Sequence, residues 1–279
     1  MISYIKAFKN FLENEGKSSN TIRAYISDIS LYFRDKDNYF NIRKYSVSTL
    51  ERRKCSYNIF CDFIGKPEEK FKKKFKKSHT FQRGIIEIRH VQAMINFLKE
   101  NLVSVKTFTA KRRIYQQMIF LSLGIHEGLR ASEYHNINFV DALYKKEINI
   151  KNSKNGNFRT LPITKITRKL ISEFKEFLEN HDQTVYNEIF KNQDKYISIR
   201  TFQRWAGDIA KKADIPRKFA HTHSLRHRFA MNFLKANPQN FVHLSNIMGH
   251  KSIQTTLIYA TPTKKELQKR MDKSCFVKL

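Results

Sequence analysis

Four short stretches of the chain contain the residue types best suited to chemistry on a phosphate. They are Gly128-Leu129-Arg130-Ala131-Ser132-Glu133, then Lys154 to Pro162, then His223-Ser224-Leu225-Arg226-His227, and finally Met248-Gly249-His250 with Tyr259 nine positions later. Arginine can grip a phosphate with two parallel hydrogen bonds, histidine moves protons near neutral pH, and a tyrosine phenol can form a stable ester. Each stretch taken alone is also compatible with a solvated helix face or the end of a loop.

The net charge of the chain indicates a polyanionic partner. Lys and Arg outnumber Asp and Glu by 53 to 25, which gives a formal charge of +28. DNA or RNA explains this excess most simply. An anionic membrane surface is the main alternative, but it is usually recognised by a compact basic cluster beside an apolar anchor, whereas here the basic residues are spread along the chain.

Length and composition indicate a globular protein of one or two domains. The longest strongly apolar run, Met118 to Ile125, is too short to span a bilayer, and the N-terminus lacks the apolar stretch of a secretory signal. We therefore expect a soluble cytoplasmic protein with no membrane partner. Cys55, Cys61 and Cys275 lack paired spacing and zinc-ligand patterns, so we expect neither disulfides nor a metal site.

Hydrophobic periodicity predicts a mainly helical chain with one hairpin. Apolar residues at helical spacing predict two helices over residues 3–34, broken near Gly16–Asn20, and another over residues 48–64. Helical spacing returns over residues 85–123 and again after Thr167. Between them, short alternation over residues 148–163 with Asn155-Gly156 at its middle predicts a β-hairpin.

A basic segment separates the first helices from the rest. Gly65-Lys66-Pro67-Glu68 is followed by a lysine-rich run over residues 70–77. This run is either a solvated tether or a contact surface along phosphates, in which Lys72, Lys73 and Lys74 would take part.

In their order and spacing, the four stretches resemble the tyrosine site-specific recombinases, or phage integrases, a family that includes the Xer recombinases. Ser19-Asn20-Thr21-Ile22-Arg23-Ala24-Tyr25 is similar to part of the same family's core-binding domain, so the resemblance covers nearly the whole chain. It implies a helical, SAM-like core-binding domain over residues 1–66, a basic linker over 67–84, and a mostly helical catalytic domain with a small antiparallel sheet over 85–279.

The resemblance also implies the roles of the reactive residues. Tyr259 would attack a backbone phosphate to form a 3′-phosphotyrosyl link, while Arg130 and Arg226 bind the non-bridging oxygens. His223 would accept the phenol proton, and His250 would donate to a phosphoryl oxygen. No cofactor or metal is needed for this scheme.

Two further assignments depend on the same resemblance. Lys154 would protonate the departing 5′ oxygen; it is chosen by register from Arg159 and Pro162, and Lys151 is the rival. Glu133 would orient the basic residues rather than react.

DNA contacts are expected from Thr21, Arg23 and the three lysines Lys72, Lys73 and Lys74. Arg228 and His227 are either phosphate contacts or ordinary helix-face residues.

A local argument concerns the exposure of the nucleophile. Ser252 can cap a short helix whose apolar stripe is Ile253 and Leu257, and at about 100° per residue Tyr259 then points away from that stripe. The pattern predicts an accessible tyrosine.

The resemblance implies duplex DNA as partner and a homotetramer on two DNA sites, with a monomer or weak oligomer in the absence of DNA. The segment 263–271 is helical in pattern and is a candidate for docking onto a neighbouring subunit. Two other classes stay open: a non-catalytic DNA-binding protein of the same fold, and a related enzyme such as a type IB topoisomerase or telomere resolvase. An RNA-binding protein would explain the charge but not the ordered motifs.

Overall fold

The computed structural model describes residues 2–75, 85–151, 158–181, 186–192, 195–250, 252–259, 268 and 271–272. The chain forms two compact units, Met1–Thr80 and Phe81–Leu279. Among the described residues no helix combines the length and the apolar composition that crossing a bilayer requires.

The described residues of the N-terminal unit form three α-helices: α1 (Ile2–Asn14), α2 (Ser19–Arg34) and α3 (Val47–Phe63). The hydroxyls of Ser18 and Ser46 cap α2 and α3, because each accepts a hydrogen bond from an amide in the first turn. The three helices bury an aromatic and aliphatic core that comprises Phe8, Leu12, Ile22, Ile29 and Phe60. The predicted break at Gly16 and the predicted third helix are both present.

Residues 67–75 pack onto this unit. The ring of Phe71 stacks on Phe40 with centroids 3.9 Å apart, and the Phe71 amide donates to the side chain of Asn58. Phe75 is buried, and its amide donates to Glu51. Half of the predicted linker is therefore a docked extension of the N-terminal unit rather than a free tether, and it leaves Lys72, Lys73 and Lys74 exposed.

The second unit is also mostly helical. Its helices are α4 (Ile88–Ser104), α5 (Phe108–His126), α6 (Lys165–Glu179), α7 (Ile199–Lys212), α8 (Thr222–Ala236), α9 (Phe241–Met248) and α10 (Gln254–Leu257). Helix α5 is buried along most of its C-terminal half because α4, α6 and α8 pack around it. This helix contains the most apolar run of the sequence and forms the centre of the core.

Two small antiparallel ladders complete the unit. Strands β1 (Glu147–Lys151) and β2 (Phe158–Pro162) form the predicted hairpin, with Ile148 opposite Leu161 and Ile150 opposite Arg159. Strands β3 (Lys191–Asn192) and β4 (Lys195–Tyr196) form a second ladder.

The mainly helical fold with a small antiparallel sheet is confirmed. The helical stretch predicted over residues 85–123 is present as two helices, α4 and α5. Thr107 interrupts it by capping α5 through the amide of Ala110. The β3–β4 ladder was not predicted from the sequence.

Candidate active site

Two glycine turns bring the first and last motifs together. Gly128 lies in the turn two residues after α5, and Gly249 directly follows α9; both glycines have positive φ, 65° and 59°. A Cβ at Gly128 would lie 2.3 Å from the ring of Phe229, and one at Gly249 would lie 2.7 Å from Nη1 of Arg159. Both positions therefore require glycine for conformation and for space.

Glu133 is a buried carboxylate at the centre of three arginines. Arg159 donates from Nη1 and Nη2 to Oε1 and Oε2, both at 2.9 Å. Arg130 adds its Nη1 at 2.9 Å and its backbone amide at 2.8 Å, and Nη1 of Arg226 lies 4.0 Å away. Burial alone would raise the pKa of Glu133, but the hydrogen bonds and charge of Arg159, with those of its neighbours, hold the pKa below its usual range. The carboxylate is ionised and fixes the arrangement of the arginines.

Arg226 is only 2% exposed and holds the two glycine turns together. Its Nη1 donates to the carbonyl of Gly128, and its Nη2 donates to the carbonyl of Met248 and to Nε2 of His250, 3.2 Å away. Burial, reinforced by the nearby charge of Arg130, lowers the pKa of Arg226 to about 9. The guanidinium is therefore still charged at neutral pH.

Arg130 is the most accessible of the three arginines in the cluster. Its side chain is 30% exposed, and its Nη2 donates to the carbonyl of Gly249 at 2.9 Å. A phosphate approaching from solvent would meet this guanidinium first.

His250 lies beside this cluster in a defined tautomer. Since Arg226 can only donate, Nε2 of His250 must accept, and Nδ1 then carries the proton and donates to Oγ1 of Thr256 at 2.8 Å. Burial lowers the pKa of His250 to about 4, with further lowering by the charges of Arg226, Arg130, Arg159 and His227. The imidazole is neutral in this state. Donating to a phosphoryl oxygen would need a proton on Nε2, which a bound anion would favour.

Tyr259 is buried, and the predicted exposure was wrong. Its side chain is 7% exposed and packs against Ala230, Leu234, Leu244 and Met248. Ile253 and Leu257, the expected apolar stripe, are 42% and 43% exposed. Thr256 of this short helix is buried, and Tyr259, two residues after the helix, packs against side chains of α8 and α9.

The phenol of Tyr259 contacts a histidine. Its hydroxyl lies 2.5 Å from Nδ1 of His227, and the two rings are 5.5 Å apart. Burial raises the pKa of Tyr259, although the charges of Arg226 and Arg130 act in the opposite direction. The phenol is therefore neutral here.

Comparison with known proteins identifies the family of this chain. Residues 85–266, which include the whole cluster, match the model of the phage integrase family. The chain belongs to the phage integrase family. The tyrosine recombinase XerA of Pyrococcus furiosus is 27% identical to it, over 97% of this chain and 93% of that protein.

Further relatives and solved structures agree. A probable integrase/recombinase of Acholeplasma phage L2 is 28% identical over 69% of this chain and 68% of that protein. The crystal structure of XerH site-specific recombinase bound to its difH substrate matches 90% of this chain and 78% of that one, with a TM-score of 0.67 and 15% identity. The similarity to the XerH structure shows the fold alone.

The two histidines of the third family motif differ in position. His223 is exposed at the start of α8, and His227 follows one turn later with its ring 6.0 Å away. The histidine at the phenol is thus His227, which the sequence left as a phosphate contact or helix-face residue. Their spacing of four residues places both on one helix face and was the available signal.

The remaining predicted site residues are either outside the described part of the chain or have other local contacts. Lys154 and the side chain of Lys151 lie outside the described residues, as does nearly all of the segment 263–271. Thr21 is bonded to Ser18 at the start of α2, and Arg23 is exposed on the same helix. Arg228 donates its Nε to the carbonyl of Ile86 and is half-buried. The expected DNA contacts of these residues stay predictions.

No group of three or more His, Cys, Asp or Glu side chains in the described part of the chain could hold a metal ion.

In the sequence analysis Arg159 served only to set the register of Lys154. Its position between Glu133 and the carbonyl of Ile247 was not predicted. Its partners are 26 and 88 residues away, so no local pattern could have shown them.

Proposed function

We propose that this chain is a site-specific DNA recombinase that cuts and rejoins DNA through a covalent bond between Tyr259 and a backbone phosphate. The observation that carries the proposal is the convergence of Arg130, Arg226 and His250 on one partly exposed patch. Tyr259 lies close enough for the charges of both arginines to act on its phenol. Membership of the phage integrase family supports the same reaction.

Transesterification conserves the bond energy of the DNA backbone. The phenolic oxygen of Tyr259 attacks phosphorus, the 5′ oxygen leaves, and the DNA is held through its 3′ phosphate. The phenol proton passes to a histidine, and Lys154 is the proposed donor to the 5′ oxygen. A free 5′ hydroxyl from a partner strand then reverses the step, which rejoins DNA through a Holliday junction without ATP.

The arginine cluster suits the charge that develops on phosphorus. Three guanidiniums surround one carboxylate, so the patch has a net positive charge even after Glu133 is counted. Such fixed donors stabilise the transition state because they need no reorganisation at the moment of reaction. Arg130 and Arg226 are the proposed ligands of the non-bridging oxygens, and Arg226, which also holds both glycine turns, is the more deeply buried of the two.

The phenol must change its position before cleavage. In the described state it is buried between α8 and α9 beside His227, and its pKa is raised. DNA binding displaces residues 252–259 so that the phenol reaches the phosphate. His223, which is exposed next to His227, would accept the proton in the DNA-bound state.

The partner is DNA, in keeping with the +28 charge of the chain. A lambda integrase dimer bound to a COC′ core site is among the similar solved structures. We propose a homotetramer on two duplex sites, with a monomer or weak oligomer when DNA is absent. The exposed lysines 72–74 and Arg23 are the proposed contacts of the N-terminal unit.

A nicked suicide substrate tests the reaction. The substrate is a DNA fragment that was selected for binding to the chain and carries a nick near the cleavage position. After cleavage the short product diffuses away, and the covalent adduct accumulates. We expect a denaturation-resistant adduct with the wild-type chain and none with Tyr259→Phe. Tyr144→Phe is the matched control, because Tyr144 is a 68% exposed tyrosine of the same unit. Binding without an adduct would indicate a non-catalytic DNA-binding protein, and relaxation of supercoils without site preference would indicate a topoisomerase.

A further inference from the structure

Arg159 of β2 is largely buried, and all of its described hydrogen bonds go to parts of the active site. Its side chain is 15% exposed. Nη1 and Nη2 bind the two oxygens of Glu133, and Nε donates to the carbonyl of Ile247 at 3.0 Å. One side chain thus joins the hairpin to the first arginine motif and to the end of α9.

The fork on Glu133 controls where the other two arginines point. Each carboxylate oxygen accepts one bond from Arg159 and one from Arg130. With both oxygens occupied, Arg226 stays 4.0 Å from the carboxylate and donates to the carbonyls of Gly128 and Met248. Without Arg159, Glu133 would have two vacant acceptor positions, and Arg226 is the nearest cation able to fill them.

The same guanidinium supports the loop that leads to His250. It lies under Gly249, so close that a Cβ there would be 2.7 Å from Nη1. Its Nε binds the carbonyl of Ile247, three residues before His250. The main chain at this loop therefore rests on Arg159.

We propose that Arg159 is a positioning residue for DNA cleavage: it fixes Glu133 so that Arg130 and Arg226 keep their phosphate-binding geometry, and it supports the loop of His250. The proposal rests on the proposed function. Arg159 touches no reacting atom in this scheme and acts through the groups it holds. Replacement of such a supporting group typically costs about 10–100-fold in activity.

The charge of Arg159 provides a second, independent readout. It is one of the charges that lower the pKa of His250; the others are those of Arg226, Arg130 and His227. Removing it should raise the pKa of His250, while the other charges remain. A residue with a purely structural role elsewhere in the unit would leave this pKa unchanged.

The test compares Arg159→Met, Arg159→Lys and the control Arg89→Met on the suicide substrate in single turnover. Arg89 also forks onto a glutamate, Glu87, but its side chain is 75% exposed at the surface of the same unit. At saturating DNA the rate constant of adduct formation reports on the folded enzyme, and the amplitude reports on the fraction that is folded.

We expect the rate constant of Arg159→Met to fall about 10–100-fold. Arg159→Lys should be intermediate, since an ammonium keeps the charge but cannot form the fork. Arg89→Met should match the wild type. A histidine NMR titration of the full chain should show a higher pKa for His250 in Arg159→Met and an unchanged one in Arg89→Met.

The outcomes separate the two proposals. If the wild-type chain forms no adduct, the proposed function fails and this inference fails with it. If the wild type forms the adduct and Arg159→Met loses amplitude but keeps its rate constant, the recombinase stands and the positioning role is overturned. An unchanged pKa of His250 in Arg159→Met would likewise overturn it, because the guanidinium would then not lie at that loop.

Discussion

We expect Glu127 to make the stability of the C-terminal unit dependent on pH. This carboxyl is 3% exposed at the end of α5, directly before the glycine turn of the active site. It accepts hydrogen bonds from the amide and hydroxyl of Thr164 and from the hydroxyl of Thr167. Burial outweighs these bonds and raises the pKa of Glu127 to about 7, from 4.5.

The direction of the effect follows from proton linkage. Between pH 4.5 and 7 the folded chain keeps the proton of Glu127 while the unfolded chain has lost it, so the folded state loses stability as pH rises through this window. The difference between a pKa of 4.5 and one of about 7 corresponds to about 3 kcal/mol of folding free energy. This contribution of Glu127 to the free energy of unfolding is fully lost above pH 7.

Glu127→Gln removes the ionisable group and keeps the shape. The glutamine oxygen can still accept from Thr164, and its amide can donate to the hydroxyl of Thr167, which in turn can donate to Ser122. At pH 5 we expect similar stability for the variant and the wild type. At pH 8 the variant should be more stable by up to about 3 kcal/mol.

Urea unfolding followed by tryptophan fluorescence measures this difference. Trp205 is the single tryptophan of the chain and is buried in the C-terminal unit, so its emission reports on that unit. The exposed Glu100→Gln on α4 is the control. A stability difference that stays constant or shrinks from pH 5 to pH 8 would refute the reasoning.

Two further predictions concern the turn after α5 and the docked extension. Gly128→Ala should destabilise the C-terminal unit by about 2–4 kcal/mol, because the residue has a positive φ and an added Cβ would overlap the ring of Phe229. In urea unfolding, the double variant with Phe229→Ala should lose about 1–2 kcal/mol less stability than the sum of the two single variants. Strict additivity would contradict the overlap. Replacing Lys72–Lys74 by alanine should leave the melting temperature unchanged but reduce by about 3 the slope of log K for DNA binding against log salt concentration, measured by fluorescence anisotropy. The control replaces Lys9, Lys17 and Lys36 by alanine. An unchanged slope for the Lys72–Lys74 variant would argue against phosphate contacts.

Local sequence signals were sufficient for the elements and for part of the site. The helices of the N-terminal unit follow from apolar spacing, and the break between the first two follows from Gly16 and the polar residues after it. The hairpin follows from alternation around a turn. Arg130, Arg226 and His250 were predicted because each lies within a short motif, and the structure brings these three residues together.

Features that depend on distant parts of the chain were not predicted. The burial of Tyr259 is decided by a cleft between two other helices, and the apolar stripe of its own short helix pointed the wrong way. The position of Arg159 depends on Glu133 and Ile247, and the docking of Phe71 depends on Phe40 and Asn58. In each case a tertiary contact overrides the local pattern.

With Tyr259 as the proposed nucleophile, the burial of its phenol would also limit when the chain can react. A tyrosine that is protonated, enclosed by aliphatic side chains and bonded to an imidazole is a poor nucleophile toward any phosphate that merely collides with the basic surface. In the proposed reaction, DNA that is only scanned would therefore stay intact, and cleavage would be confined to complexes that last long enough for residues 252–259 to move.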